Sequence, residues 1–340
     1  MRSPIRLLVL ALSLALAGPV FADDGHPHHG KRPDDHAPIG VMGDHRHHAG
    51  EVMFSYRYAH MRMSGNRSRT EHQSLGDVFG RGFMIAPKDM DAEMHMIGAM
   101  WAPTDRITLM GMLPIVQKRM DHENVAGGRF DTETSGLGDV KLTALIGLFD
   151  GETHDLHLNA GVSFPSGSID EHGTVQTPMG SARVKLPYPM QLGSGSVDVL
   201  PGLTYLGRGD DWSWGAQAMG TIRTYQNSER YKLGDRVDLT AWLARPWTSW
   251  LSTSARVGWS WWGNIRGADP DLNPFAVPTA DPDRRGGWRL EVAPGLNFLL
   301  PGGHRIAIEA PLPATQWLYG PQLETDWRLV VGWQKAFKAY

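Results

Sequence analysis

Thioethers and imidazoles are the side chains whose number and spacing in this sequence could do chemistry. Twelve of the sixteen methionines fall between Met42 and Met120. Read two residues at a time, Met53, Met61, Met63, Met94, Met96, Met100, Met110, Met112 and Met120 share the more polar face of three consecutive segments. The sequence contains no cysteine, so thioethers are the only sulfur ligands it offers, and thioethers select Cu(I) or Ag(I). Methionine is equally an adaptable apolar filler, suited to packing or to lining a path for an apolar solute. Both readings stay open at this point. The triplet Met94-His95-Met96 has the look of a copper motif, yet a strand sends His95 to the opposite face unless it bulges.

The histidines concentrate elsewhere. Residues 23–50 carry His26, His28, His29, His36, His45, His47 and His48 among Asp, Gly and Pro. His26, His28, His29, His45, His47 and His48 are candidate ligands for Cu(II), Zn or Ni, although a solvated linker explains the same composition. Such a polar stretch cannot bury a core, so a mobile periplasmic tail is expected. Arg57, Arg256, Arg289, Glu291 and Glu309 fall on the inward faces of their segments, where they form ion pairs across neighbouring strands or a selectivity constriction. For catalysis, His60 and Ser260 are the available pair, with no acidic orienter and no nucleophile-elbow pattern. No enzymatic activity and no obligatory cofactor are expected; copper, as Cu(I) or Cu(II), is the one ion the residues suggest.

The elements that must position these groups are strands. From Glu51 onward there are twelve candidates, near 51–63, 89–102, 106–120, 138–149, 154–165, 194–206, 212–225, 235–246, 250–263, 286–300, 304–312 and 325–337. Connections after even-numbered candidates are tight and those after odd-numbered ones are mostly long, the alternation of an outer-membrane barrel. Faces fit as well: Trp259 and Trp261 oppose Arg256 and Ser260, and Ile306 and Ile308 oppose Arg305 and Glu309. The expected fold is all-β, an antiparallel transmembrane β-barrel of 12 strands over 51–340, closed because hydrocarbon offers a free edge no partner.

Composition narrows the setting. Residues 1–22 read as a secretory signal, with Arg2 and Arg6 before an apolar run ending near Ala22. No later stretch is long and apolar enough for a spanning helix. A net charge of -3 without basic clusters argues against nucleic acid as a partner. The expected partners are outer-membrane lipid, a small hydrophobic solute or a copper ion, and the barrel-assembly machinery, which reads an aromatic C-terminal strand such as the one ending at Phe337 or Tyr340.

Three stretches carry a family resemblance: Gly40-Val41-Met42-Gly43-Asp44-His45, Met53-Phe54-Ser55-Tyr56-Arg57-Tyr58, and Ile85-Ala86-Pro87 followed by the run from Met94 to Met110. They resemble the bacterial transporters grouped with the meta-pathway of phenol degradation, in a methionine-rich subgroup. The resemblance implies an outer-membrane barrel that passes an aromatic or other small apolar molecule. A structural or surface-interaction barrel is the third class to keep in view.

Overall fold

The computed structural model describes residues 32–177 and 180–338. The expected signal sequence and His26, His28 and His29 lie outside the described residues, as does Tyr340.

Twelve strands form a closed antiparallel barrel. They are β1 (Glu51–Arg69), β2 (Ile85–Thr104), β3 (Ile107–Asn124), β4 (Arg129–Leu137 continued by Val140–Asp150), β5 (His154–Phe164), β6 (Asp198–Arg208), β7 (Ser213–Arg223), β8 (Arg236–Pro246), β9 (Leu251–Trp262), β10 (Gly287–Leu300), β11 (His304–Glu309 continued by 312–318) and β12 (322–338). Each pairs with the next, and β12 closes on β1 from Glu51↔Lys338 to Arg67↔Gln322. All twelve expected strands are present. Those flanking the first long loop run several residues further than the periodicity indicated, because β1 continues alongside β12 to Arg67↔Gln322 and β2 starts beside β3 at Ile85↔Asn124, beyond the last β1–β2 pair at Ser64↔Asp89.

Burial follows the alternation. Phe54, Trp101, Leu109, Leu142, Leu203, Leu243, Val257 and Leu296 are exposed on the outer wall, while Thr108, Asn159, Thr204, Ser252, Asn297 and Gln334 are buried inside. An apolar outside around a polar inside is what a hydrocarbon solvent demands. Exposed aromatics gather near both rims. Phe149, Trp212, Trp247 and Trp250 lie by the short turns, and Phe164, Tyr225, Trp261, Tyr319 and Trp327 lie toward the long loops. In a membrane barrel such rims are where Tyr and Trp place apolar bodies in lipid and polar tips toward water.

The long-loop end has its own core. Ile85, Tyr188, Tyr231, Ile265, Leu272, Val277 and Ala280 pack together from four separate segments. Lys185, on a loop hairpin (His172–Thr177 with Gly180–Lys185), ties them by ion pairs to Asp269 at 2.8 Å and Glu229 at 2.9 Å. The loops thus fold over one barrel mouth.

The expectation of a mobile tail over 23–50 is corrected for residues 32–50. Ala37, Ile39, Val41, Asp44, His45 and His47 are buried, and the segment lies within the barrel. It is not polar on all sides: Ile39 and Val41 meet the wall, with Val41 and Ala37 packed against Trp242. The barrel supplies the apolar and hydrogen-bonding partners that the segment cannot supply for itself.

Candidate functional site

The lumen has two unlike walls with the N-terminal segment between them. Along β1, β2 and β3 the register sets Met53, Met100 and Met110 side by side, then Ser55, Gly98 and Met112, then Arg57, Met96 and Pro114. Further along, Ala59 pairs with Met94, and Met63, Met90 and Met120 form another row. Paired residues share a face of the sheet, so all nine expected methionines project inward, joined by Met90. No irregularity interrupts β2 around Met94-His95-Met96. His95 accordingly faces out, 2.6 Å from the Tyr56 hydroxyl.

The methionines group at two depths. Met53, Met100 and Met110 are buried with Leu145, with Met112 alongside. Met90 and Met120 are buried with Leu186 and Met190, with Met63 alongside. Leu186 and Met190 reach in from the loop after β5, a contact that strand periodicity could not register. Met61, Met94 and Met96 are half-buried between the two groups.

The wall formed by β9 to β12, which adjoins β1 where Arg328 pairs with Met61, is ionic. Arg256 Nε sits 2.5 Å from Glu309 Oε1 and its Nη1 3.2 Å from Glu291 Oε1. Arg289 Nε is 3.5 Å from the other oxygen of Glu291, which Arg328 also contacts. Inside a barrel these charges lose hydration, a cost that their partners and hydrogen bonds must offset. Arg57, on the methionine side, is different. Its Nη1 donates to Met42 Sδ at 3.1 Å, while its Nε is buried without a hydrogen-bond partner.

Residues 32–50 are held to every side of the wall. Ser252 and Ser213 hydroxyls donate to the carbonyls of Pro33 and Asp34 at 2.9 and 2.8 Å. Arg305 donates to Ala37 O at 2.7 Å, and Gly40 N–H to Glu309 Oε2 at 2.6 Å. At the deepest turn Gln217 Nε2 donates to Met42 O at 2.9 Å, and Asn159 Nδ2 to Gly43 O at 2.9 Å, with His157 Nε2 3.0 Å from the same oxygen. Gly43 has φ of 62°. A Cβ there would also lie 2.9 Å from Asn159 Nδ2, so glycine serves both the left-handed backbone and the close approach. His47 N–H donates to Thr108 Oγ1 at 2.9 Å, just before the chain enters β1. Apart from Glu309, expected as an inward charge, these holding residues were not marked out by their types.

Of the expected imidazole ligands, His45 lies deepest. Its Nδ1 is 3.2 Å from His36 Nδ1 and 3.0 Å from Asp44 Oδ1. Burial holds the His36 ring well below its usual pKa, aided by His45 and Arg305. Burial pushes the Asp44 carboxyl up, but His45, His36 and Arg305 outweigh it and keep it well below the ordinary range. His47 Nδ1 lies 3.3 Å from Glu51, and His48 is exposed, 3.5 Å from Asp105. Of the six expected histidine ligands only His45, His47 and His48 are described, and these three do not share one set of converging donor atoms; His45 instead joins His36, which had not been singled out.

No family profile matches the sequence, and no curated protein matches it. Solved structures do. The COG4313 outer membrane channel from Pseudomonas putida F1 superposes with a TM-score of 0.63 at 14% identity, over 87% of this chain and 99% of that one. The chain has the fold of that outer-membrane channel. The P. putida toluene transporter TodX (TM-score 0.42, 11% identity, 89% of this chain and 92% of that one) and the KdgM porin (0.39, 10%, 83% and 99%) are more distant barrels.

Proposed function

We propose that the chain is a non-enzymatic outer-membrane channel for a small apolar or aromatic solute, closed at rest by residues 32–50. One observation carries this reading: the inward methionines run from Met53, Met100 and Met110 to Met63, Met90 and Met120 along one side of a closed barrel. Sites for apolar solutes are lined by apolar, polarizable groups with few polar ones. The closure is suited to leaving. It is held by separate side-chain contacts, hydrogen bonds worth about 1 kcal/mol each when neutral and about 1.5–3 kcal/mol when charged, with an ion pair from Asp35 to Arg208 at 3.1 Å, whereas the wall is held by continuous ladders. The likeness to a protein described as an outer membrane channel supports the same reading.

The test is uptake. Cells producing the chain should take up a labelled monocyclic aromatic faster than control cells, with no such gain for a sugar of similar size. Equal gains for both would refute selectivity for apolar solutes. A second reading, Cu(I) passage over the thioethers, is favoured by His45 sharing a small cavity with Met53, Met100, Met110 and Met112. Leucine at Met94, Met96, Met110 and Met112 separates the two. Aromatic uptake survives a volume-conserving swap, whereas Cu(I) titration of the detergent-solubilised barrel would lose its tight phase.

A further inference from the structure

We propose that His36, Asp44 and His45 form a binding site for a transition-metal ion of imidazole affinity, Zn2+ or Cu2+, which cross-links the two ends of the lumenal loop. Three donor atoms converge there. His36 Nδ1 and His45 Nδ1 are 3.2 Å apart, His45 Nδ1 is 3.0 Å from Asp44 Oδ1, and His36 Nδ1 is 4.0 Å from Asp44 Oδ2. Ligands at 2.0–2.1 Å around a tetrahedral ion are separated by about 3.3 Å. Two of the three separations are already of that size, and a small rotation of the Asp44 carboxylate or the His36 ring closes the third, 4.0 Å to the other oxygen.

Proton counting supplies the second argument. His45 Nδ1 faces both His36 Nδ1 and the carboxylate. If it carries the proton and donates to Asp44, it has no lone pair for His36. If instead it accepts from His36, its own lone pair confronts a carboxylate oxygen 3.0 Å away. One proton cannot serve both contacts at full strength, whereas a cation draws on all three lone pairs at once. His45 and Asp44 are 3% and 2% exposed, and His45 Nε2 has no hydrogen-bond partner, so solvent does not relieve the conflict. Asp44 Oδ2 is also oriented, accepting from Ala37 N at 2.9 Å.

The surroundings select the ion. Arg57 and Arg305 act on the same carboxylate, which disfavours hard cations that bind through charge and carboxylates. Ions that bond strongly to neutral imidazole are less affected. By joining residue 36 to residues 44 and 45, the ion would brace the loop whose tip, at Gly40, docks on Glu309. The binding site rests on the donor geometry alone; its effect on conduction rests on the channel reading above.

The test uses the full chain carrying alanine at His26, His28 and His29, so that the tract before residue 32 does not contribute. Titration with Zn2+ against a chromophoric chelator should show a single bound ion, weakened about tenfold or more by His36→Ala and by the near-isosteric Asp44→Asn. Electron paramagnetic resonance of bound Cu2+ should show two nitrogen ligands, and one in His36→Ala. No binding, or an affinity unchanged in both variants, would overturn the site. In planar bilayers Zn2+ should lower conductance and a chelator restore it. Binding that obeys the variants in a protein that never conducts would leave the site standing and refute the channel.

Discussion

Replacing both Asn159 and Gln217 with alanine should release the lumenal segment without opening the barrel wall. Each side chain donates to the deepest turn, Asn159 to Gly43 O at 2.9 Å and Gln217 to Met42 O at 2.9 Å. Their own backbones remain in the ladders, Asn159 opposite Leu145 and Gln217 opposite Thr240. Two neutral hydrogen bonds at about 1 kcal/mol each give a shift of about 2 kcal/mol. That is roughly a thirtyfold change in the ratio of released to docked segment, at 1.4 kcal/mol per decade. The carbonyls left behind add to the shift, because a buried acceptor without a donor is costly. His157 still faces Gly43 O, so the segment is weakened rather than expelled. Single-channel recording in planar bilayers reads this directly as a rise in the fraction of time spent in the conducting state. The reasoning is refuted if the variant, with unaltered thermal unfolding, conducts as the parent does.

Other consequences reach different parts of the molecule. Arg256→Ala strips Glu309 of its 2.5 Å partner, and removing one member of a buried pair should cost about 3–5 kcal/mol, visible as a lowered unfolding temperature on heat-modifiability gels. Met120→Ala empties a side chain that is 1% exposed and should cost about 2–5 kcal/mol, whereas Met120→Leu should stay within about 1.5 kcal/mol. Lys185→Ala leaves Asp269 buried without its 2.8 Å partner, so the long loops should become sensitive to added protease while the barrel stays resistant.

The period-two alternation carried most of the fold. Lipid on one side and a polar lumen on the other force successive residues apart in character, so Trp259 and Trp261 against Arg256 and Ser260 were enough to orient β9. The methionine wall was legible for the same reason, since three hairpin-connected strands keep paired residues on one face. What strand periodicity cannot show is what fills the space the strands enclose. Residues 32–50 have no regular period, and their polarity suggested solvent. Their partners are dispersed over Thr108, His157, Asn159, Gln217, Ser252 and Arg305, none adjacent in sequence. The contact of Leu186 and Met190 with Met90 and Met120 was hidden likewise, because a loop's return path depends on the packing of four loops together. His36 escaped notice among seven histidines until the turn at Gly43 folded the chain back to bring it to His45.

The most direct test of a removable lumenal closure is to tether it. The chain has no cysteine, so an introduced pair reacts only with itself. An ideal Cβ at Gly332 lies 2.8 Å from Ile39 Cγ1, so sulfurs in an Ile39→Cys, Gly332→Cys variant fall within bonding reach. Conductance of this variant should be low when oxidised and should rise to the parental level on reduction. Equal conductance in the two states would show that solute passes with the segment in place, and would contradict the account.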